Sequence, residues 1–338
     1  MSLGVENYAA NLRFVKETRS QQRWFYFDFY LTMLKNLVIT TIIEQWNDLL
    51  SLNHKFLNKF VFRGQSNSEW GLTTALERMV KQHTPNYVDN NLPAIYESNM
   101  LADFKWKYPL YEKTLIPRSD DNIEWLALMQ HYGAPTRLLD FTRSLYVALY
   151  MALDNSFSDY SSIWAINSIF IREKAANLYL KEHGKTSGVV PHSELDVFIK
   201  KKVNSYINYY ADNIENELYL ITPSLCNERI SIQQGLFIMP SNIKIPFGDS
   251  LNSVFSEAFP QVAEISFKNL LKYSNTDLGK AAQHVILLLK ILIPKKFKLQ
   301  LTKLLLQMNI TAETLYPGLE GMAKSLSYLR HGMHEYEE

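Results

Sequence analysis

A chain of 338 residues with 35 basic and 34 acidic side chains has a formal net charge of +1, which excludes broad electrostatic binding to nucleic acid or to an anionic membrane. The single cysteine, Cys226, excludes an internal disulfide and a thiolate metal centre, and it fits a reducing compartment. The first residues, Met1 to Asn7, lack the basic-then-apolar order of a secretory signal. The greasiest runs, Phe29 to Ile43 and His284 to Pro294, contain Lys35 and Lys290 and are too short to span a bilayer. The expectation is a cytoplasmic protein with no membrane partner and room for one large domain or two ordinary ones.

In chain order, the aromatic run Trp24 to Tyr30 reads as a strand or an apolar helical entry. Val38 to Leu52 has helical spacing, with Ile42, Ile43, Trp46, Leu49 and Leu50 on one face. Phe60-Val61-Phe62 reads as a short strand that stops at Arg63-Gly64, followed by a turn at Gln65 to Ser68 and a helix over Thr73 to Met79. Tyr96 to Tyr108 and Asn122 to His131 are expected helices, and Arg137 to Asp140 a short strand. Ser144 to Leu153 reads as a helix with Leu145, Ala148, Leu149 and Ala152 on one stripe, and Ser162 to Ile166 as a strand. The polar segment from Arg172 to Tyr210, with Gly184, Gly188 and Pro191, reads as a surface insertion.

Further strands are expected at Tyr219 to Thr222 and Leu236 to Ile238. Val285 to Ile293 is apolar enough to be central in a sheet. Lys295 to Met308 is an amphipathic helix, and Tyr316-Pro317-Gly318 breaks the chain before a terminal helix over Leu319 to Leu329. With no repeat or linker, this order favours one α+β domain, a mixed central β-sheet flanked by helices. Its limits fall at residues 38–327, with an N-terminal extension over 1–37, a surface insertion at 172–210 and a tail at 328–338.

Polar chemistry concentrates in Gln130-His131-Tyr132-Gly133-Ala134-Pro135-Thr136-Arg137-Leu138-Leu139-Asp140-Phe141-Thr142-Arg143-Ser144, mounted between two apolar segments. Arg63 at a strand end can reach phosphate or ribose oxygens while Gly64 lets the backbone approach a planar amide; equally, Gly64 can be a turn residue beside an Arg paired with a carboxylate. Thr142 and Ser144 can cap the following helix, orient a ligand at its N-terminus, or do both. Asp140 and Arg137 can pair with each other, and His131 can be a structural histidine. Gln233-Gln234-Gly235 can bind a ribose hydroxyl or satisfy neighbouring backbone, with Arg229 upstream. No second His or carboxylate stands at metal-ligand spacing, so no metal is expected. Walker A, Rossmann, nucleophile-elbow and kinase signatures are absent.

Together these segments resemble the FRG domain, a bacterial family named for a Phe-Arg-Gly triplet, here Phe62-Arg63-Gly64. The resemblance continues through Gln65, Trp70, Leu72 and Arg78 and through His131 to Thr142. It resumes at Arg229, Gln233-Gln234-Gly235 and Phe237, then at Ile291 to Pro294 and Thr314 to Gly321, so that it runs from about Val38 to Ser327. The order of motifs is in turn similar to the arginine–serine–glutamate type of ADP-ribosyltransferase, in which a strand-end Arg-Gly, a Ser-Thr-Ser strand running into a helix and a Glu-bearing strand follow one another.

That similarity implies an ADP-ribosyltransferase-like core with helical additions, using NAD as substrate in a toxin or defence effector. Arg63 would hold the pyrophosphate or ribose and Gly64 the nicotinamide amide. Thr142 and Ser144 would orient Arg63 and the ribose, and Gln233 or Gln234 would meet its 2′-hydroxyl. Gln65, His131, Tyr132, Arg137 and Arg229 would line the same nucleotide site, and the acceptor would be a protein or nucleic acid. The third motif departs from the pattern, because Gln carries no charge. A unit charge at ~4 Å in an effective dielectric of ~20 is worth on the order of 4 kcal/mol, roughly a thousandfold in rate. Either Asp140 supplies the missing carboxylate, or the same pocket serves a non-catalytic nucleotide- or partner-sensing module. A metal-independent hydrolase or nuclease using His131 and Asp140 is the third reading.

Overall fold

The computed structural model describes residues 36–52, 54–84, 91–113, 116–207, 214–225, 228–256, 261–274 and 288–333. It begins with β1 (Asn36–Ile42), α1 (His54–Leu57), β2 (Phe60–Gln65), α2 (Ala75–His83), α3 (Leu92–Lys107), α4 (Asn122–His131), β3 (Leu139–Thr142) and α5 (Leu145–Leu153). There follow β4 (Tyr160–Asn167), α6 (Ser168–Glu182), α7 (His192–Tyr206), β5 (Leu218–Ile221), α8 (Glu228–Ile232), β6 (Gly235–Pro240) and α9 (Phe247–Ser256). The last elements are β7 (Gln261–Glu264), α10 (Phe267–Ser274), β8 (Leu288–Pro294), α11 (Lys298–Gln307), α12 (Ala312–Leu315) and α13 (Leu319–Met333). Among the described residues no helix is long and apolar enough to cross a membrane. The aromatic run Trp24 to Tyr30, the bulk of the 1–37 extension, Cys226 and the end of the tail lie outside the described residues.

The strands form one mixed sheet in the order β5-β6-β3-β2-β4-β8-β1-β7. Neighbours from β5 through β8 are antiparallel, whereas β1 runs parallel to both β8 and β7. The α+β class and the mixed sheet follow the expectation, and β8 is central between β4 and β1. The helix expected over Val38 to Leu52 is a correction. Residues 38–42 are Val-Ile-Thr-Thr-Ile, every one β-branched and stiff at χ1, and they pair with Leu288 to Leu292 as a strand. Residues 172–207, expected within a surface insertion, supply most of α6 and all of α7, whose inward residues Ala175, Leu180, Leu195, Ile199 and Val203 are buried.

One sheet face is covered by α9, with Phe247, Leu251 and Phe255 packed on Val61, Leu139, Phe141, Ile166 and Ile238. The other face carries two separate clusters. Over β2, β4, β8 and β1, helices α5 and α11 pack Ala148, Leu149, Ala152, Leu301 and Leu305 on Phe62, Ile163 and Ile291. Over β5 and β6, helices α4 and α7 pack Leu126, Met129, Ile199 and Val203 on Tyr219, Phe237 and Met239. Leu139 and Phe141 face α9, so strand alternation turns Asp140 and Thr142 to the seam between the two clusters.

The strand carrying Arg63 does not stop there; it continues to Gln65, because β4 pairs with it through Arg63–Trp164, Gly64–Ile163 and Gln65–Ser162. Gly64 is therefore no turn residue. A Cβ on it would stand 1.9 Å from the Ala148 carbonyl oxygen and 2.6 Å from the Ala152 nitrogen. The small stripe of α5 lies against the bare glycine backbone and brings helix and strand into near contact. Gly64→Ala is expected to cost at least ~1–3 kcal/mol of stability, the usual range for overpacking. The midpoint of urea unfolding would read this at constant slope; an unchanged midpoint would show that α5 can back away freely.

Candidate functional site

The sheet is weakest where β2 meets β3: the two strands share a single register pair, Phe62 opposite Thr142. Arg63 spans the rest of that junction. Its Nη1 donates to the main-chain carbonyl of Asp140 at 2.8 Å and stands 3.6 Å from the Asp140 carboxylate. Its Nε is buried with no hydrogen-bond partner among the described residues. Burial lowers the guanidinium pKa, Asp140 opposes that shift and the nearby Arg78 adds to it. The Asp140 carboxylate, its side chain 52% exposed, also accepts from Gln130 Nε2 at 2.9 Å. Gln130 is held in turn by the Thr136 hydroxyl, which donates to its Oε1 at 2.5 Å.

Two residues along β3, Thr142 turns toward the same seam and is buried. Its hydroxyl donates to the Gln233 carbonyl at 2.7 Å and accepts from the Ser144 N–H at 3.0 Å. The Ser144 hydroxyl caps α5 by accepting from the Val147 N–H. The Gln233 side-chain amide donates to the Leu315 carbonyl at 2.9 Å, which ties the Gln-Gln-Gly turn to α12. Beyond α12, the Arg229 guanidinium lies 4.6 Å from the Tyr316 ring centre and Lys324 Nζ 4.7 Å from it. Gly321 lets α13 close onto this turn, since a Cβ there would meet the Tyr316 carbonyl oxygen at 1.9 Å. The charges of Arg229 and Glu320 both act on His131 at the end of α4. Burial and Arg229 push its pKa below the ordinary imidazole value, and Glu320 opposes them.

Asp140, Thr142, Ser144, Gln233, His131 and Arg229 are thus brought to one seam; Arg63, whose neighbours Phe62 and Gly64 face α5, leaves β2 on the α9 side and meets the seam only at Asp140, across the junction. Other residues expected there are not. Arg137 is a core residue: its guanidinium forks onto the Glu97 carboxylate, with Nε at 3.0 and 2.7 Å from the two oxygens and Nη2 on Oε2, at 3% and 1% exposure. It neither pairs with Asp140 nor reaches a ligand. Gln65 is buried with both ends of its amide engaged, by the Trp164 indole N–H and the Gly71 carbonyl. Gly64 faces α5 and has no room for a nicotinamide. Tyr132, 60% exposed, lies with Tyr108 and Tyr111 on a groove beside α3. Gln234 turns to a cavity on the far side of Arg143.

Gln130, Tyr316 and Glu320 were missed as site residues although all three lie inside quoted motif segments. Glu97 carries no local signal at all, since only the fold brings it to Arg137.

Two outcomes are expected. Arg137→Met alone should cost ~3–5 kcal/mol by stranding the Glu97 charge, and the double change Glu97→Leu/Arg137→Met should restore most of that loss in chemical denaturation. In an NMR titration of the His131 ring, Arg229→Ala should move the pKa upward by removing a neighbouring positive charge. Glu320→Gln should move it downward, and no movement in either variant would separate His131 from both groups.

Neither the curated proteins nor the solved structures yield a match to this chain. A family model described as the FRG domain matches residues 58–161, from the end of α1 through the Phe-Arg-Gly strand and the central polar block to the start of β4. Arg229, the Gln-Gln-Gly turn and the Tyr316 to Gly321 segment lie beyond the matched residues, yet they fold onto the same seam. On that match and the triplet Phe62-Arg63-Gly64 at its structural centre, the chain carries an FRG domain.

Proposed function

We propose that the FRG domain binds a nucleotide, NAD or a close relative, at the junction of β2 and β3 and along the seam above it, in an ADP-ribosyltransferase-like layout. One observation carries this reading. Three motifs far apart in sequence, those of Arg63, Thr142 and Gln-Gln-Gly, stand on the adjacent strands β2, β3 and β6. Arg63, its side chain 20% exposed, would meet a phosphate or ribose oxygen through the accessible part of its guanidinium. Arg229 and the neutral His131 would add a cation and a polar ring at the other end of the seam.

The residues present fit binding better than turnover. The Thr142 hydroxyl and the Gln233 amide are already spent on the Gln233 and Leu315 carbonyls, and no carboxylate occupies the third motif. Asp140, Glu320 and Asp154 bring carboxylates to the seam among the described residues; the first is held by Gln130 and Arg63 and the last by Lys324. A nucleotide-sensing module is therefore favoured over an efficient transferase, and acceptor labelling should be slow.

Calorimetry with NAD tests the binding half. The wild-type protein should bind, and Arg63→Ala should weaken binding at least about tenfold, the loss of one charge-assisted hydrogen bond of ~1.5–3 kcal/mol. Arg63→Lys, which keeps the charge but loses the fork, should fall between the two. Unfolding midpoints of both variants guard against simple loss of the fold. No heat with the wild-type protein at millimolar NAD would remove NAD as the ligand. Labelled NAD tests the other half: nicotinamide release well above background would make this an enzyme after all.

A further inference from the structure

Past Thr142, on the side of the sheet end away from Asp140, lies a cavity of about 760 Å³ that the nucleotide reading does not use. Its walls are the start of β2, the end of β5, the turn before β6, and helices α4, α6 and α7. The volume falls within the ~300–1,000 Å³ common for small-molecule sites. The floor is apolar, with Val61, Ile199, Leu220 and Leu236, and Arg143, Arg172, Lys200 and Thr222 stand around it.

The charges around the cavity are not equivalent. Arg172 is paired with Asp196 at 3.0 Å, and Lys200 with Asp121 at 2.7 Å and Glu124 at 3.2 Å. Arg143 meets no carboxylate among the described residues; its Nη2 donates to the neutral Thr222 hydroxyl at 3.1 Å. Its backbone is fixed as well, because the Arg143 N–H donates to the Gln234 carbonyl at 3.1 Å. Gln234 holds a φ of 49°, a conformation uncommon outside glycine, and its residue lines the same cavity. Constrained backbone at a cavity wall, an exposed guanidinium with no carboxylate partner among the described residues and an apolar floor occur together here.

We propose that this cavity binds a small organic monoanion, with its carboxylate or phosphodiester on Arg143 and its apolar ring or chain on the Val61, Leu220 and Leu236 floor. A planar guanidinium accepts either anion through paired N–H donors. The paired state of Arg172 and Lys200 limits the ligand to a single unit of charge. A cationic ligand would be repelled by Arg143, and an uncharged one would gain no attraction from it. The inference does not depend on nucleotide binding at the seam, because neither Arg63 nor Asp140 lines this cavity.

The test uses the full chain and the fluorescent monoanion 8-anilino-1-naphthalenesulfonate. Saturable binding is expected in the wild-type protein. Arg143→Ala should weaken it at least about tenfold, Arg143→Lys by less, and Leu220→Trp, which fills the floor while sparing Arg143, should abolish it. Circular dichroism checks that each variant is folded. Octanoate and cyclic AMP, both monoanions, then compete for the site. Displacement by octanoate assigns a carboxylate ligand, and displacement by cyclic AMP a phosphodiester. Displacement by neither overturns the proposal, as does Arg143→Ala binding the dye as tightly as the wild type or dye binding that never saturates.

Discussion

An eight-stranded sheet ordinarily owes its continuity to backbone ladders, and between β2 and β3 that ladder shrinks to one pair. On either side the strands are well supported, β2 by six register pairs with β4 and β3 by four with β6. The junction therefore needs a polar group that can reach across it, and the Arg63 guanidinium does so by donating to the Asp140 carbonyl. A side chain in place of a main-chain donor leaves part of that side chain available, which a closed ladder would not. The helices obey the same division. The α5–α11 cluster belongs to one half of the sheet and the α4–α7 cluster to the other, and the seam opens where neither covers β3.

Close packing on one side makes the openness on the other tolerable. Gly64, the residue after Arg63, has its face pressed against the Ala148 and Ala152 backbone of α5. The consecutive residues Arg63 and Gly64 thus have opposite tasks: one is left partly accessible in a gap, and the next forms the tightest helix–strand approach around it. The triplet's glycine is explained by packing, with no ligand needed. Its arginine has no comparable structural excuse for a buried and partnerless Nε.

The central polar block divides its side chains among three jobs. Thr136 and Arg137 work inside the protein, one bracing Gln130 and the other neutralising Glu97 in the core. His131, Asp140 and Thr142 turn to the seam, and Arg143 turns to the separate cavity beside β5. A buried fork such as Arg137–Glu97 contributes little net stability relative to an apolar pair, but it forbids other packings of the block that would strand either charge. That constraint fixes the block in position, and the neighbouring residues inherit it.

Much of this architecture was legible in the chain itself. Helices over Asn122 to His131 and Ser144 to Leu153 follow from apolar spacing and a Ser cap, and the strands around Ile163, Leu220, Phe237 and Ile291 from short apolar runs. Local sequence determined that a polar cluster sits between two buried elements; that Phe62-Arg63-Gly64 and the Gln-Gln-Gly turn belong with it came from the family resemblance. It misjudged Val38 to Ile42, where β-branched residues fit both a helical period and a strand until β7 and β8 supply partners. It could not divide the arginines, because Arg63, Arg137 and Arg143 are chemically identical. Only the fold brings Glu97 to Arg137, the Asp140 carbonyl to Arg63 and Thr222 to Arg143, across 40, 77 and 79 residues of chain. Which guanidinium is neutralised in the core and which stands at the sheet surface is a property of long-range contacts, and no local pattern encodes those.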